Sequence, residues 1–138
     1  MNGWIVRGVL ASILVPGLTP LSAAQSVFPD ENLGAVVRKY VLAKRDNAEP
    51  LVAEDVAGVS TVHGAGKGID DLTGIEQCRG LVELNLEGNR IERINSLGNL
   101  QNLQSLSLAR NRIQDLSPVG RLANLRFLDL SGNRISDL

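Results

Sequence analysis

His63, Ser107 and Asp129 are the residues of this chain whose types could supply a base, a nucleophile and the acid that orients the base. They are spaced 44 and 22 positions apart. Acyl transfer by such a set needs the hydroxyl and the imidazole within about 3.2 Å of each other. A metal reading needs more donors than one histidine and a distant aspartate provide. Cys78 is the only cysteine, so no internal disulfide and no cysteine-rich metal site can form. Whether the three residues meet depends on the elements that carry them.

Those elements are legible because the same interval runs through the whole second half of the chain. Leu81, Leu84, Leu86, Asn89, Ile91, Ile94, Leu97 and Leu100 recur 22 positions later as Leu103, Leu106, Leu108, Asn111, Ile113, Leu116, Val119 and Leu122. Leu125, Leu128, Leu130, Asn133, Ile135 and Leu138 follow after another 22. Each unit opens with a short alternation such as Leu84-Asn85-Leu86, which puts leucines on one face of a strand and the residues between them on the other. One unit holds too few apolar residues to close a core, so units must stack, with their strands side by side in a parallel sheet. This is the pattern of a leucine-rich repeat, and it predicts an α/β right-handed solenoid whose parallel sheet lines the concave side. Asn89, Asn111 and Asn133 sit where the strand turns away, and an amide that both donates and accepts there is expected to serve backbone groups left unpaired by the turn.

His63 and Ser107 lie two strands apart, about 10 Å between backbones, so the triad is refused. No acid–base pair, nucleophile or cofactor motif appears elsewhere, and the chain is read as no enzyme and as holding no metal or cofactor. What the strands do build is a surface. Thr61, Glu83, Ser105 and Phe127 form one exposed column; His63, Asn85, Ser107 and Asp129 a second; Ala65, Glu87, Ala109 and Ser131 a third. Glu83, Asn85, Glu87, Ser105, Ser107, Phe127 and Asp129 are therefore the candidate binding residues, with Phe127 as the anchor, since aromatics dominate interface energetics. Arg90, Arg112 and Arg134 also stack in phase at the turn after each asparagine. They read as a solvated edge neutralised locally by Glu87, Glu92, Asp115 and Asp137.

The 138 residues leave room for one domain with a short appendage, and the formal net charge of -1 gives no support to a nucleic-acid partner. Residues 1–24 have the form of an export signal: Arg7, then the apolar stretch from Gly8 to Leu18, then Ser22-Ala23-Ala24 with cleavage after Ala24. That core is shorter than the roughly 20 apolar residues a membrane span requires. Residues 25–58 carry no repeat and are expected to be helical, with Asp30 as N-cap, Leu33, Val36, Val37, Tyr40 and Val41 on the buried face, and Lys39, Lys44 and Arg45 towards the end. A second short helix is expected near Pro50, bringing Leu51, Val52 and Val56. This segment would cover the open first coil. Residues 59–80 form a degenerate unit in which Val59, Val62, Gly64, Lys67, Ile69, Leu72, Ile75 and Cys78 keep the phase, Lys67 stands at the asparagine position and Cys78 at a buried apolar one. Units 81–102, 103–124 and the incomplete 125–138 complete the chain.

Two features together resemble a named family. The 22-residue unit, with its leucines, asparagine and isoleucines, is similar to the repeats of bacterial internalins. Phe28-Pro29-Asp30, the amphipathic helix after it, and Gly74-Ile75-Glu76 look like an internalin N-terminal cap, which is the more specific of the two matches. The resemblance covers about residues 27–138. It implies a secreted or surface-displayed bacterial protein whose curved repeat domain binds a partner protein. Family members also carry more repeats, an immunoglobulin-like segment, an anchoring region and several concave aromatics, where these repeats offer Phe127 alone; host-cell invasion is not carried over.

The expected role is thus an exported protein-binding module, at the cell surface, in the periplasm or released, with no membrane span after signal cleavage. The alternative is a truncated or N-terminal fragment of a longer repeat protein with only a structural role. On either reading Leu128, Leu130 and Ile135 would face an open coil end, through which self-association is expected.

Overall fold

The computed structural model describes residues 25–136. The expected export signal at 1–24, with Asp137 and Leu138, lies outside the described residues. Helix α1 spans Glu31–Arg38 and α2 spans Ala53–Val56; strands β1 to β4 are Thr61–His63, Glu83–Asn85, Ser105–Ser107 and Phe127–Asp129. Between strands the chain returns through short 3-10 turns at Ile75–Gln77, Asn95–Leu97 and Ser117–Arg121. A unit this short has no room for a longer helix once the strand and its two bends are made. The four strands form one parallel sheet in the order β1-β2-β3-β4. Their register is the period itself: Val62 pairs with Leu84, Leu84 with Leu106, and Leu106 with Leu128.

The chain is a leucine-rich-repeat solenoid with a single apolar core running along it. Leu84, Leu86, Ile91, Leu97, Leu106, Leu108 and Ile113 have no exposed surface. The column opens in the last coil, where Leu128 is 41% exposed against 0% for Leu84 and Leu106. Burying a leucine side chain stabilises by roughly 1.5–3 kcal/mol, so the stack gains with every coil that covers its predecessor.

Asn89, Asn111 and Asn133 do the same work in successive coils. Asn89 Nδ2 donates to the Gly64 and Leu86 carbonyls at 2.9 and 2.8 Å, and its Oδ1 accepts the Lys67 and Ile69 backbone N–H groups, both at 3.0 Å. Each amide therefore closes its own turn and ties it to the coil before. Lys67 can replace asparagine in the first coil because Asn89 serves that turn from above. A second ladder runs at the opposite end of the coil. Asn102 Nδ2 donates to Arg79 O at 3.1 Å and Asn124 Nδ2 to Gln101 O at 2.6 Å, again one coil back. Gly80 holds the same phase in the first coil, and a side chain there would press on the Ala57 carbonyl that accepts its N–H.

Asp30 caps α1, accepting the Asn32 and Leu33 N–H groups on Oδ1 at 2.9 and 3.1 Å. Its Oδ2 accepts Asp70 and Asp71 N–H at 2.8 and 3.0 Å, so one carboxylate joins the cap to the first repeat. Val36 on the buried face of α1 explains Gly64, the one glycine in the column of Leu86, Leu108 and Leu130: an added Cβ would lie 2.9 Å from Val36 Cγ1. The two halves of the cap motif touch. Gly74 adopts φ +100, and a Cβ there would fall 2.2 Å from Val27 O and 2.8 Å from the Phe28 ring.

Two expectations for this segment need correction. Helix α1 ends at Arg38, so Tyr40 is not on its buried face; it is 37% exposed and its Oη accepts the His63 N–H at 3.0 Å. The basic residues do not trail off a longer helix either. Arg38 donates to the Lys44, Asn47 and Glu49 carbonyls, and Lys44 Nζ pairs with Asp55 at 2.8 Å, which fixes the loop between α1 and α2. The second helix begins at Ala53, after Pro50, with Asp55 accepting the Val52 N–H at 2.8 Å.

Candidate functional site

The outward residues of the strands stand in the columns their phase predicts: Thr61 beside Glu83, Ser105 and Phe127, and His63 beside Asn85, Ser107 and Asp129. They are not equally free. Phe127 is 54% exposed and Glu83 is exposed, whereas Ser105 and Ser107 are half-buried between their neighbours. Asn85 Oδ1 accepts the Glu87 N–H at 3.1 Å, and Asp129 Oδ1 accepts both the Ser131 N–H and hydroxyl at 3.0 and 2.7 Å. Those bonds to the Ser131 hydroxyl and backbone hold the Asp129 carboxyl below the usual carboxylate range. Asn85 and Asp129 thus shape the strand ends and offer a partner only what remains. Ala109 is buried, at 3%, so the third column is interrupted rather than continuous.

His63 does not face Ser107. Its Nε2 lies 2.8 Å from Glu83 Oε1 on the neighbouring strand, a diagonal pair with both side chains about half exposed (51% and 48%). With Tyr40 on the His63 backbone, three side chains from the cap, β1 and β2 form one polar cluster at the first-strand end of the sheet. Neither Tyr40 nor the His63–Glu83 pair follows from the repeat. Phase puts 63 and 83 in different columns, and only the diagonal reach of long side chains across a sheet brings them together.

Arg90, Arg112 and Arg134 are all exposed, as a solvated edge requires. Glu87 approaches Arg110, at 3.7 Å, and not Arg90; Asp115 accepts from the Ser117 backbone and hydroxyl. Among the described residues Arg90 and Arg112 have no carboxylate within 4.0 Å, so the local neutralisation read from sequence is not made by contact. Arg90 and Arg93 do line a shallow groove with Asp70, Asp71 and Glu92. Cys78 is buried, and burial, with Glu76 adding to it, pushes the thiol up to about 12, the behaviour of a packing residue.

Comparison with known proteins agrees with this geometry. A family model for leucine-rich repeats, in two copies, matches residues 101–138. No curated protein matches the chain by sequence. An internalin (inlF) from Listeria monocytogenes is 33% identical over 86% of this chain and 36% of that one, with a TM-score of 0.74. The functional domain of InlJ from Listeria monocytogenes, which includes a cysteine ladder, is 26% identical over 86% of this chain and 27% of that one, with a TM-score of 0.69. The chain thus spans about a third of the length of the first and about a quarter of the second. With its single cysteine it has no cysteine ladder, and asparagines carry the one seen here.

Proposed function

We propose that this chain, an internalin-like leucine-rich-repeat protein, is an exported binding module that docks a partner protein on the outward face of its sheet. The carrying observation is the 54% exposure of Phe127 in the same column as Glu83 and Ser105. An aromatic held in the open on rigid backbone can anchor an interface with little ordering cost. Asp129 and Ser107 on its own and the adjoining strand, with Glu83, Asn85 and Glu87 two coils back, extend the same face with polar groups. The cluster of Tyr40, His63 and Glu83 extends the face onto the cap. Export is supported by the form of residues 1–24 and by the likeness to internalins. Among the described residues no helix is long and apolar enough to cross a membrane.

The test uses a photo-crosslinking residue placed at Ser105 and, as control, at Asn99 on the return path. A protein captured from Ser105 only, and lost in Phe127→Ala and Glu83→Ala, supports the reading; equal capture from both positions removes it. Self-association is a second reading, favoured by Leu128 at 41% exposure beside Phe127. Sedimentation at rising concentration decides it, and a monomer throughout excludes it.

A further inference from the structure

We propose that Arg90, Arg110, Arg112 and Arg134 form a second contact ridge along the turns, which takes a short acidic segment of the protein partner. The inference rests on the sheet-face reading above for where that partner lies.

Arg110 stands apart from the residues at its phase in the other coils. It has φ 58, the one positive value on a non-glycine among the described residues. The same phase in the other coils is held by Gly66, Gly88 and Gly132, at φ 65, 70 and 70. An L-residue in this region is strained, and a glycine would remove the strain. The fold gains little in exchange. The Arg110 side chain is 78% exposed, and its ion pair with Glu87 is a loose 3.7 Å. A strained residue whose side chain is largely exposed and only loosely paired is better explained by what it presents to solvent than by what it does for the coil.

Its neighbours make the presentation a row. Arg90, Arg112 and Arg134 donate their backbone N–H groups to Ile69, Ile91 and Ile113 of the preceding coil, at 2.9, 2.8 and 2.9 Å. Each flanks a ladder asparagine, so the backbones are rigid and one coil apart, about 4.8 Å. Planar forks at that interval suit carboxylates, which guanidinium groups hold in pairs of parallel bonds. A dense polyanion is disfavoured by the rest of the surface. Asp70, Asp71 and Glu92 lie beside Arg90 in the groove, Asp115 follows Arg112, and the chain's net charge is -1. A few carboxylates bring far less negative charge against that fringe than a long phosphate or sulfate polymer does.

The experiment is fluorescence anisotropy of a labelled oligoglutamate peptide against the full chain at low ionic strength. Binding should weaken roughly threefold in Arg110→Gly, and by roughly tenfold in Arg90→Gln with Arg112→Gln, the scale of exposed charge pairs. Arg45→Gln, which removes the same charge from the cap, should bind as wild type. Because Arg110→Gly relieves strain, its melting temperature should equal or exceed wild type, which separates lost contact from lost fold. Absence of oligoglutamate binding, or equal binding by Arg110→Gly, overturns the ridge. Tighter binding of a sulfated glycan than of oligoglutamate, lost in the same variants, overturns the acidic protein segment as occupant. Arg110-dependent peptide binding with no effect of Phe127→Ala on crosslinking would sink the sheet-face reading and leave the ridge standing.

Discussion

Asn111 takes the backbone N–H of Ile91, one coil below it, on Oδ1 at 3.0 Å, and donates Nδ2 to Leu86 O and Leu108 O at 3.0 and 2.9 Å. The residue is 6% exposed, so water cannot replace it at these three groups. Asn111→Leu keeps the branched outline of the side chain, with methyls where the amide O and N were, and strands them. The expected cost is roughly 1–3 kcal/mol, read as a lower urea midpoint. Asn133→Leu should cost less, because Asn133 is only half-buried and solvent can reach part of its turn. An unchanged midpoint in Asn111→Leu would mean the ladder is ornamental.

Gly74 tests the joint between cap and repeats. Its φ of +100 lies outside the usual range of L side chains, and the clash at 2.2 Å is with backbone, the Val27 carbonyl, which cannot rotate away. Strain in such a conformation costs about 1–3 kcal/mol before the clash is counted. Gly74→Ala should therefore unfold the cap first, seen as faster amide exchange in residues 27–38 than in β3. Gly58→Ala, with open space around it, is the matched control and should leave exchange unchanged.

The period made the repeats legible, because a leucine column works only if the same residue returns at the same height. Leu84, Leu106 and the three ladder asparagines could be placed from spacing alone. The ladder of Asn102 and Asn124 carried the same 22-residue signal, but the glycine at 80 broke it at the first coil. Other features obey no period. Tyr40 continues the apolar spacing of α1 in sequence, yet the helix stops at Arg38 and the Tyr40 hydroxyl goes to the strand edge instead. Glu83 reaches His63 diagonally, and Arg110 shows its strain only in its dihedral, where sequence offers merely a missing glycine. Contacts between unlike elements depend on side-chain reach, and that is invisible to phase.

Cys78 occupies the position held by Leu100 and Leu122 in later coils and has no exposed surface. Burial, reinforced by Glu76, pushes its thiol up to about 12, so thiolate is scarce at neutral pH and the sulfur is out of reach. A disulfide-exchange reagent should leave native protein unmodified over hours at pH 8 and label it at once in urea. Labelling of the folded chain at the rate of a free thiol would place Cys78 at the surface and contradict the repeat phase.

Asp30 gives the fold a pH dependence whose sign can be worked out. Burial opposes its charge, but the backbone N–H groups of Asp71, Asp70, Leu33 and Asn32 outweigh that and lower its pKa. In the unfolded chain the carboxyl returns to about 3.9. A depressed folded value means the unfolded state takes up the proton more readily, so the stabilisation is fully present above that pH and fades as pH falls through the folded value. Asp30→Asn keeps the shape but loses the charge-assisted bonds. At pH 7 it should melt below wild type, by an amount set by an N-cap worth about 0.5–2 kcal/mol and by the two bonds to the first repeat. As pH drops below about 4 the two melting curves should converge, because wild type then loses what the variant never had. A gap that stayed constant from pH 7 to pH 2 would show that Asp30 joins cap and repeat by shape alone.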